Sequence, residues 1–241
     1  MIGSVRVIAV LLSLSLGAVG GIVSSWDFDG SLDDTSGASN DRLTAPEGTA
    51  RFVAAGDLPG VDGQAVAIGV EAGDASRLTG LISADVRLGP SYTIEAWILP
   101  TDLSSGWRRL VLNWGHTKAY HLGIHNGLLS LYHAQADGSE RFAEGGQVRP
   151  NRWNHIVAVA RRNAENPAQS TIEVYLNGEL AAATPFDGTL RALEDEGLGV
   201  GDSASASAPG IAYHGYIDSL TPWNAALTAA EIRERCTARQ A

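Results

Sequence analysis

The 241-residue sequence contains one cysteine, Cys236, and one methionine. A single thiol cannot close an internal disulfide or build a cysteine-based zinc site, and without a partner motif it does not indicate a thiol enzyme. It is expected as a small apolar group on the underside of a helix. Basic residues are also scarce, 17 against 27 acidic, giving a formal net charge of -10 and a pI of about 5.0. An acidic surface repels phosphate backbones and anionic membranes, which argues against a nucleic-acid partner and leaves room for a cation. The sequence has no G-x-S-x-G, no H-E-x-x-H and no phosphate-binding loop. The acidic run Glu194-Asp195-Glu196 lies in a loop, without the strand character that would aim two carboxylates at one bond.

Long apolar runs are missing except at the amino terminus. There Arg6 precedes the run Val7 to Leu16, and Ala18-Val19-Gly20 offers small residues for cleavage, the pattern of an export leader over residues 1–20. Extending the run to Val23 as a retained anchor is disfavoured by glycines 17, 20 and 21 and by its short length. No cysteine follows, so a lipid anchor at that point is not expected. The remainder, with 44% hydrophobic residues over the whole chain, is rich enough to build a sizeable core.

What is abundant is short strand signals punctuated by turns. The densest runs from Ser91 to Pro100. With period 2, Tyr92, Ile94, Ala96 and Ile98 share one apolar face, while Thr93, Glu95, Trp97 and Leu99 share the other. The first face suits a core, and the second is expected to be partly open. Trp97 and Trp153 are nevertheless expected to pack in the core. Further strands are expected at 22–28, 50–53, 65–68, 107–113, 119–124, 128–133, 140–143, 153–160, 171–176, 179–183, 197–201 and 213–218. Asn126-Gly127 and Asn177-Gly178 are hairpin signals of type I′, which requires positive φ at both central residues. The convincing helix is at the end, over 229–237. Thr228 and Glu231 form a capping box there, and Leu227 packs on Ile232 as a staple. The reading is an all-β, two-sheet antiparallel sandwich with a short C-terminal helix, one domain over 22–241.

Several stretches together resemble laminin-G-like jelly rolls of the concanavalin A-like lectin/glucanase superfamily. They are Trp26-Asp27-Phe28-Asp29, Asp34-Thr35-Ser36-Gly37, Tyr92 to Thr101, Arg152 to Val157, Ile172 to Gly178, Tyr216-Ile217-Asp218 and Ala226 to Ile232. They occur in the family's order from about residue 24 to 235. The resemblance implies a jelly roll with its first and last strands adjacent in one sheet. It also implies a structural calcium ion between Asp29 and Asp218, with Asp27 or Asp34 as further ligands. Pro222 departs from the pattern and removes a ladder donor, so its strand is expected at an edge or interrupted there. The E-x-D-x-x-E strand of the related glucanases has no counterpart.

Exposed rings flanked by amides and histidines stack on sugars, and one expected hairpin collects such groups: Trp107, Asn113, Trp114, His116 and Tyr120. Trp107 has a competing place in the core. His121 and His125 share a strand face, and His133 could join them from across the hairpin. The sequence therefore reads as an exported, non-catalytic binding module for carbohydrate or glycosylated surfaces. The alternatives are a protein-interaction or adhesion domain without a sugar site and, last, a glycoside hydrolase.

Overall fold

A computed structural model of the chain describes residues 21–38, 41–54, 63–80, 88–104, 106–113, 119–192, 197–202 and 211–239, without the side chains of 112 and 113. The expected leader, Trp114, His116 and the acidic run Glu194–Glu196 lie outside the described residues. The strands are β1 (Arg51–Ala54), β2 (Gln64–Ile68), β3 (Leu78–Gly80), β4 (Tyr92–Pro100), β5 (Trp107–Asn113), β6 (Tyr120–His125) and β7 (Leu128–Ala134). They continue with β8 (Glu140–Gln147), β9 (Asn154–Arg161), β10 (Thr171–Leu176), β11 (Glu179–Pro185), β12 (Leu198–Val200) and β13 (Gly215–Trp223), and helix α1 (Ala229–Ala238) follows β13. They form two sheets, one in the order β1-β2-β13-β4-β9-β10-β11 and one in the order β3-β12-β5-β6-β7-β8. Every ladder is antiparallel, as the jelly-roll expectation requires.

Local chemistry explains the hairpins. Asn126 and Gly127 adopt φ of 50° and 82°, and Asn177 and Gly178 adopt 52° and 82°. These left-handed pairs join β6 to β7 and β10 to β11, with His125 opposite Leu128 and Leu176 opposite Glu179. Between the sheets lies the core, where Tyr92, Ile94, Ala96 and Ile98 of β4 meet Leu122, Ile124, Leu129 and Leu131. It also holds one polar pair. His133 Nε2–H donates to the Thr189 carbonyl (2.7 Å), which leaves Nδ1 to accept from the Tyr92 hydroxyl at 3.0 Å. Burial lowers the His133 pKa and keeps the ring neutral. His133 therefore faces inward and does not join His121 and His125.

The side chains on the other face of β4 are buried, and a groove stays open over only part of it. Helix α1 lies over it, and Ile232 and Leu227 pack on Val157, Val159, Tyr175 and Trp223 as a second, smaller apolar layer. Complete burial of a side chain such as Ile232 contributes about 2 kcal/mol. Both bonds of the capping box form: the Thr228 side chain accepts from Glu231 N–H, and the Glu231 side chain accepts from Thr228 N–H. Cys236 is buried on the underside of this helix. Trp97 is buried outside the main core, because the strand period turns it to the outer face and toward His155, 5.0 Å away between ring centroids. Trp153 precedes β9 and is half-buried.

β13 corrects the expectation for Pro222. The strand is central, paired with β4 through Pro222 to Trp223 and with β2 at its start. Leu220 exchanges both backbone bonds with Trp26, and the Pro222 carbonyl accepts from Val23 N–H at 3.0 Å. The missing donor therefore faces the N-terminal segment, which touches β13 through isolated bridges at Ile22 and Trp26 and not a full ladder. The irregularity in β13 falls between Ile217 and Ser219 instead. This bulge leaves Asp218 out of register.

Candidate functional site

A groove of about 370 Å³ opens on the outer face of the six-stranded sheet. Its aromatic side is built by cross-strand register. His121 of β6 lies opposite Tyr132 of β7, and Tyr132 lies opposite Phe142 of β8, so the three form one row. Tyr132 and Phe142 meet edge to face at 5.3 Å, and Trp107 stands 6.5 Å from Phe142. Phe142 is 45% exposed, an unusual position for a phenyl ring on a strand flanked by charges. Trp107 is anchored between two imidazoles, stacked on His125 at 4.6 Å and tilted against His121 at 4.7 Å. His125 is held in turn: Asn126 Nδ2–H donates to its Nε2, so Nδ1–H donates to Glu144 at 2.8 Å.

Polar groups border the rings. The Tyr132 hydroxyl donates to Glu140 Oε1 at 2.9 Å; burial, then this carboxylate, push its pKa up to about 12 and keep it a neutral donor. Arg109 pairs with the wholly buried Asp202 at 3.2 Å, which fixes its guanidinium and compensates its charge. Its backbone N–H donates to the Ile211 carbonyl at 2.9 Å and brings Ile211 to the groove wall. Gly123 sits opposite Arg109 on β6. A Cβ there would lie 2.5 Å from the Arg108 carbonyl oxygen and 2.9 Å from His121 Nε2, so only glycine leaves this stretch of sheet undistorted.

Of the sequence-derived candidates, Trp107 lines this groove. Asn113 ends β5, where its backbone pairs with Leu198; its side chain, with Trp114 and His116, lies outside the described residues. Tyr120 points the other way. It is 2% exposed and packs on Tyr92 at 5.4 Å in the core, because strand alternation puts it on the face opposite His121. Sequence reasoning passed over Arg109, Tyr132, Glu140 and Phe142. The available signal was Phe142 on the same strand face as Glu140 and Glu144, an apolar ring where alternation calls for a polar residue.

The candidate calcium carboxylates lie elsewhere, at the start of the chain and the bulge of β13. Asp29 Oδ1 accepts from Gln64 N–H at 2.5 Å. Asp218 is buried and paired with Arg239. Burial raises the Asp218 carboxyl to about 6 against the opposing effect of Arg239, and the charges of Asp29 and Asp27 add to the rise. Asp34 is engaged by the Ser25 and Ser36 amides. The donor chemistry suits a hard cation, but the side chains fall short of its six to eight oxygens. Among the described residues, no three histidine, cysteine or acidic side chains are grouped to hold a metal ion.

A family model described as the concanavalin A-like lectin/glucanases superfamily matches residues 83–233. No curated protein matches the sequence. Among solved structures, the binding domain of Paraclostridial Mosquitocidal Protein 1 is similar at a TM-score of 0.69 and 15% identity, over 90% of this chain and 52% of that one. The binding domain of botulinum neurotoxin DC, solved in complex with rat synaptotagmin II, gives 0.68 at 15% identity over 91% and 52%. Domain 4 of AbnA, a GH43 extracellular arabinanase from Geobacillus stearothermophilus solved with arabinotriose, gives 0.62 at 14% identity over 88% and 97%. The chain thus spans about half the length of the toxin binding domains. At these identities the likeness is one of fold.

Proposed function

Because this chain belongs to the concanavalin A-like lectin/glucanase superfamily, we propose that it is an exported, non-catalytic binding module whose groove takes carbohydrate. The row His121–Tyr132–Phe142, with Phe142 open to solvent, carries the reading. An exposed ring offers an apolar face to the C–H side of a sugar, while Glu140, Arg109 and the Tyr132 hydroxyl supply hydrogen bonds to its oxygens. The volume is that of a small-ligand site. Support for a binding role without catalysis comes from the similar structures, of which two are toxin binding domains and one is a domain of an arabinanase solved with arabinotriose. Export rests on the leader pattern at residues 1–20; among the described residues no helix is long and apolar enough to cross a membrane.

A structural calcium ion completes the proposal: Asp29 and Asp218 would hold it, and its charge would relieve the repulsion that Asp27 adds. The second reading is a protein surface as partner, favoured by Leu180, 55% exposed on the edge strand β11.

The deciding experiment is affinity electrophoresis through gels containing arabinan, xylan, galactan, mannan or soluble β-glucan, with and without calcium. Retardation by at least one gel, weakened in Phe142→Ala, is expected. Free migration through all of them would refute the carbohydrate reading and leave the protein surface.

A further inference from the structure

A second groove, of about 340 Å³, lies on the opposite side of the sandwich, between the last turns of α1 and the N-terminal segment. Its floor is the outer face of β4 and β13, where Trp97, Ser219 and Thr221 point away from the core. Arg235 and Arg239, one helical turn apart, form one wall, and Asp27 stands on the other.

Each guanidinium is already compensated. Arg235 Nε donates to Glu95 Oε2 at 2.6 Å, and its guanidinium lies 4.6 Å from the Trp223 ring. Arg239 pairs with Asp218 and donates to the Ser219 hydroxyl at 2.8 Å. The Thr221 and Ser25 hydroxyls bond to each other at 2.9 Å. The groove therefore holds no unbalanced positive charge that would select an anion. A guanidinium has five N–H donors, so both arginines keep donors beyond these bonds. Asp27 offers carboxylate oxygens, and Trp97 supplies an apolar surface. A neutral ligand rich in hydroxyls matches such a lining.

We propose that this groove is a second site for a neutral sugar, so that one chain carries two glycan sites on opposite faces of its sandwich and can bridge two polysaccharide chains. The inference rests on the carbohydrate reading of the first groove but concerns different residues. Two sites on one rigid body raise the apparent affinity for a polymer without any new contact.

The test is titration calorimetry of the full chain against neutral arabino-, xylo-, gluco-, manno- and galactotriose. Phe142→Ala disables the first groove. Ala238→Trp, at an exposed helix position, fills the second, and Asp27→Ala checks it without added bulk. About two sites per wild-type chain are expected, falling to one in Phe142→Ala and to one in Ala238→Trp, with affinity at the second site at least tenfold weaker in Asp27→Ala. Binding that survives Phe142→Ala and disappears in Ala238→Trp would support the second site and remove the first. One site per chain, abolished by Phe142→Ala, would overturn the inference and leave the first groove standing. No heat with any of the five sugars would overturn both.

Discussion

Glu95 Oε1 lies 2.9 Å from His155 Nε2 beneath the C-terminal helix, and the other carboxylate oxygen accepts from Arg235 of that helix at 2.6 Å. A central strand, its neighbour and the last element of the chain thus share one buried carboxylate. Trp97 packs over the imidazole, and Arg235 continues onto Trp223. The arrangement holds α1 against the sheet by an ion pair between its buried residues Ile232 and Cys236.

Removing the carboxylate should loosen the helix. Breaking a buried charge pair costs about 3–5 kcal/mol. Since Arg235 is 39% exposed and can turn to water, Glu95→Gln is expected to cost less, about 2 kcal/mol. Urea unfolding would measure this, and helix-selective hydrogen exchange should show α1 opening first. Unchanged stability would mean that the ion pair is only a surface contact.

The same carboxylate sets a pH dependence. Burial alone would raise the Glu95 pKa, but the His155 hydrogen bond and the Arg235 charge outweigh it and hold it below the ordinary value. A depressed folded-state pKa contributes stability above the unfolded value, near 4.3, which is lost as pH falls through the folded one. The stability gap between wild type and Glu95→Gln should therefore be flat from pH 8 to about 5 and close in more acidic buffer. A gap that widened toward acid would contradict the assignment.

Aromatic positions in the first groove should separate by strand face. Phe142→Ala and Trp107→Ala are expected to weaken glycan binding at least tenfold, about 1.4 kcal/mol. Tyr120→Phe, altered in the core, should leave affinity unchanged. Tryptophan fluorescence titration reads all three, and equal losses at Tyr120 would place the site wrongly.

Gly123→Ala tests the floor of that groove. Its Cβ would meet a backbone carbonyl that cannot swing aside, so about 1–3 kcal/mol of destabilisation is expected, with weaker glycan binding. Wild-type stability and affinity together would show that the sheet yields there.

Asp218 tests calcium. At pH 7.5 added calcium is expected to raise the melting temperature of the wild type and EDTA to reverse it, with neither effect in Asp218→Asn. A flat response in the wild type would leave Arg239 as the sole counter-charge.

The sequence by itself determined what depends on neighbours along the chain. Period-2 alternation placed Tyr92, Ile94, Ala96 and Ile98 in the core, the Asn-Gly pairs placed two hairpins, and Thr228 with Glu231 started the helix. Each is a local preference of backbone or side chain. Only the tertiary structure decided what covers each face. Trp97 is buried on the outer face because α1 lies over its strand, and Pro222 sits in a central strand because its missing donor faces an irregular segment. The first groove exists because His121, Tyr132 and Phe142 align across three strands. That register is set by turns and packing elsewhere, and spacing along the chain does not carry it.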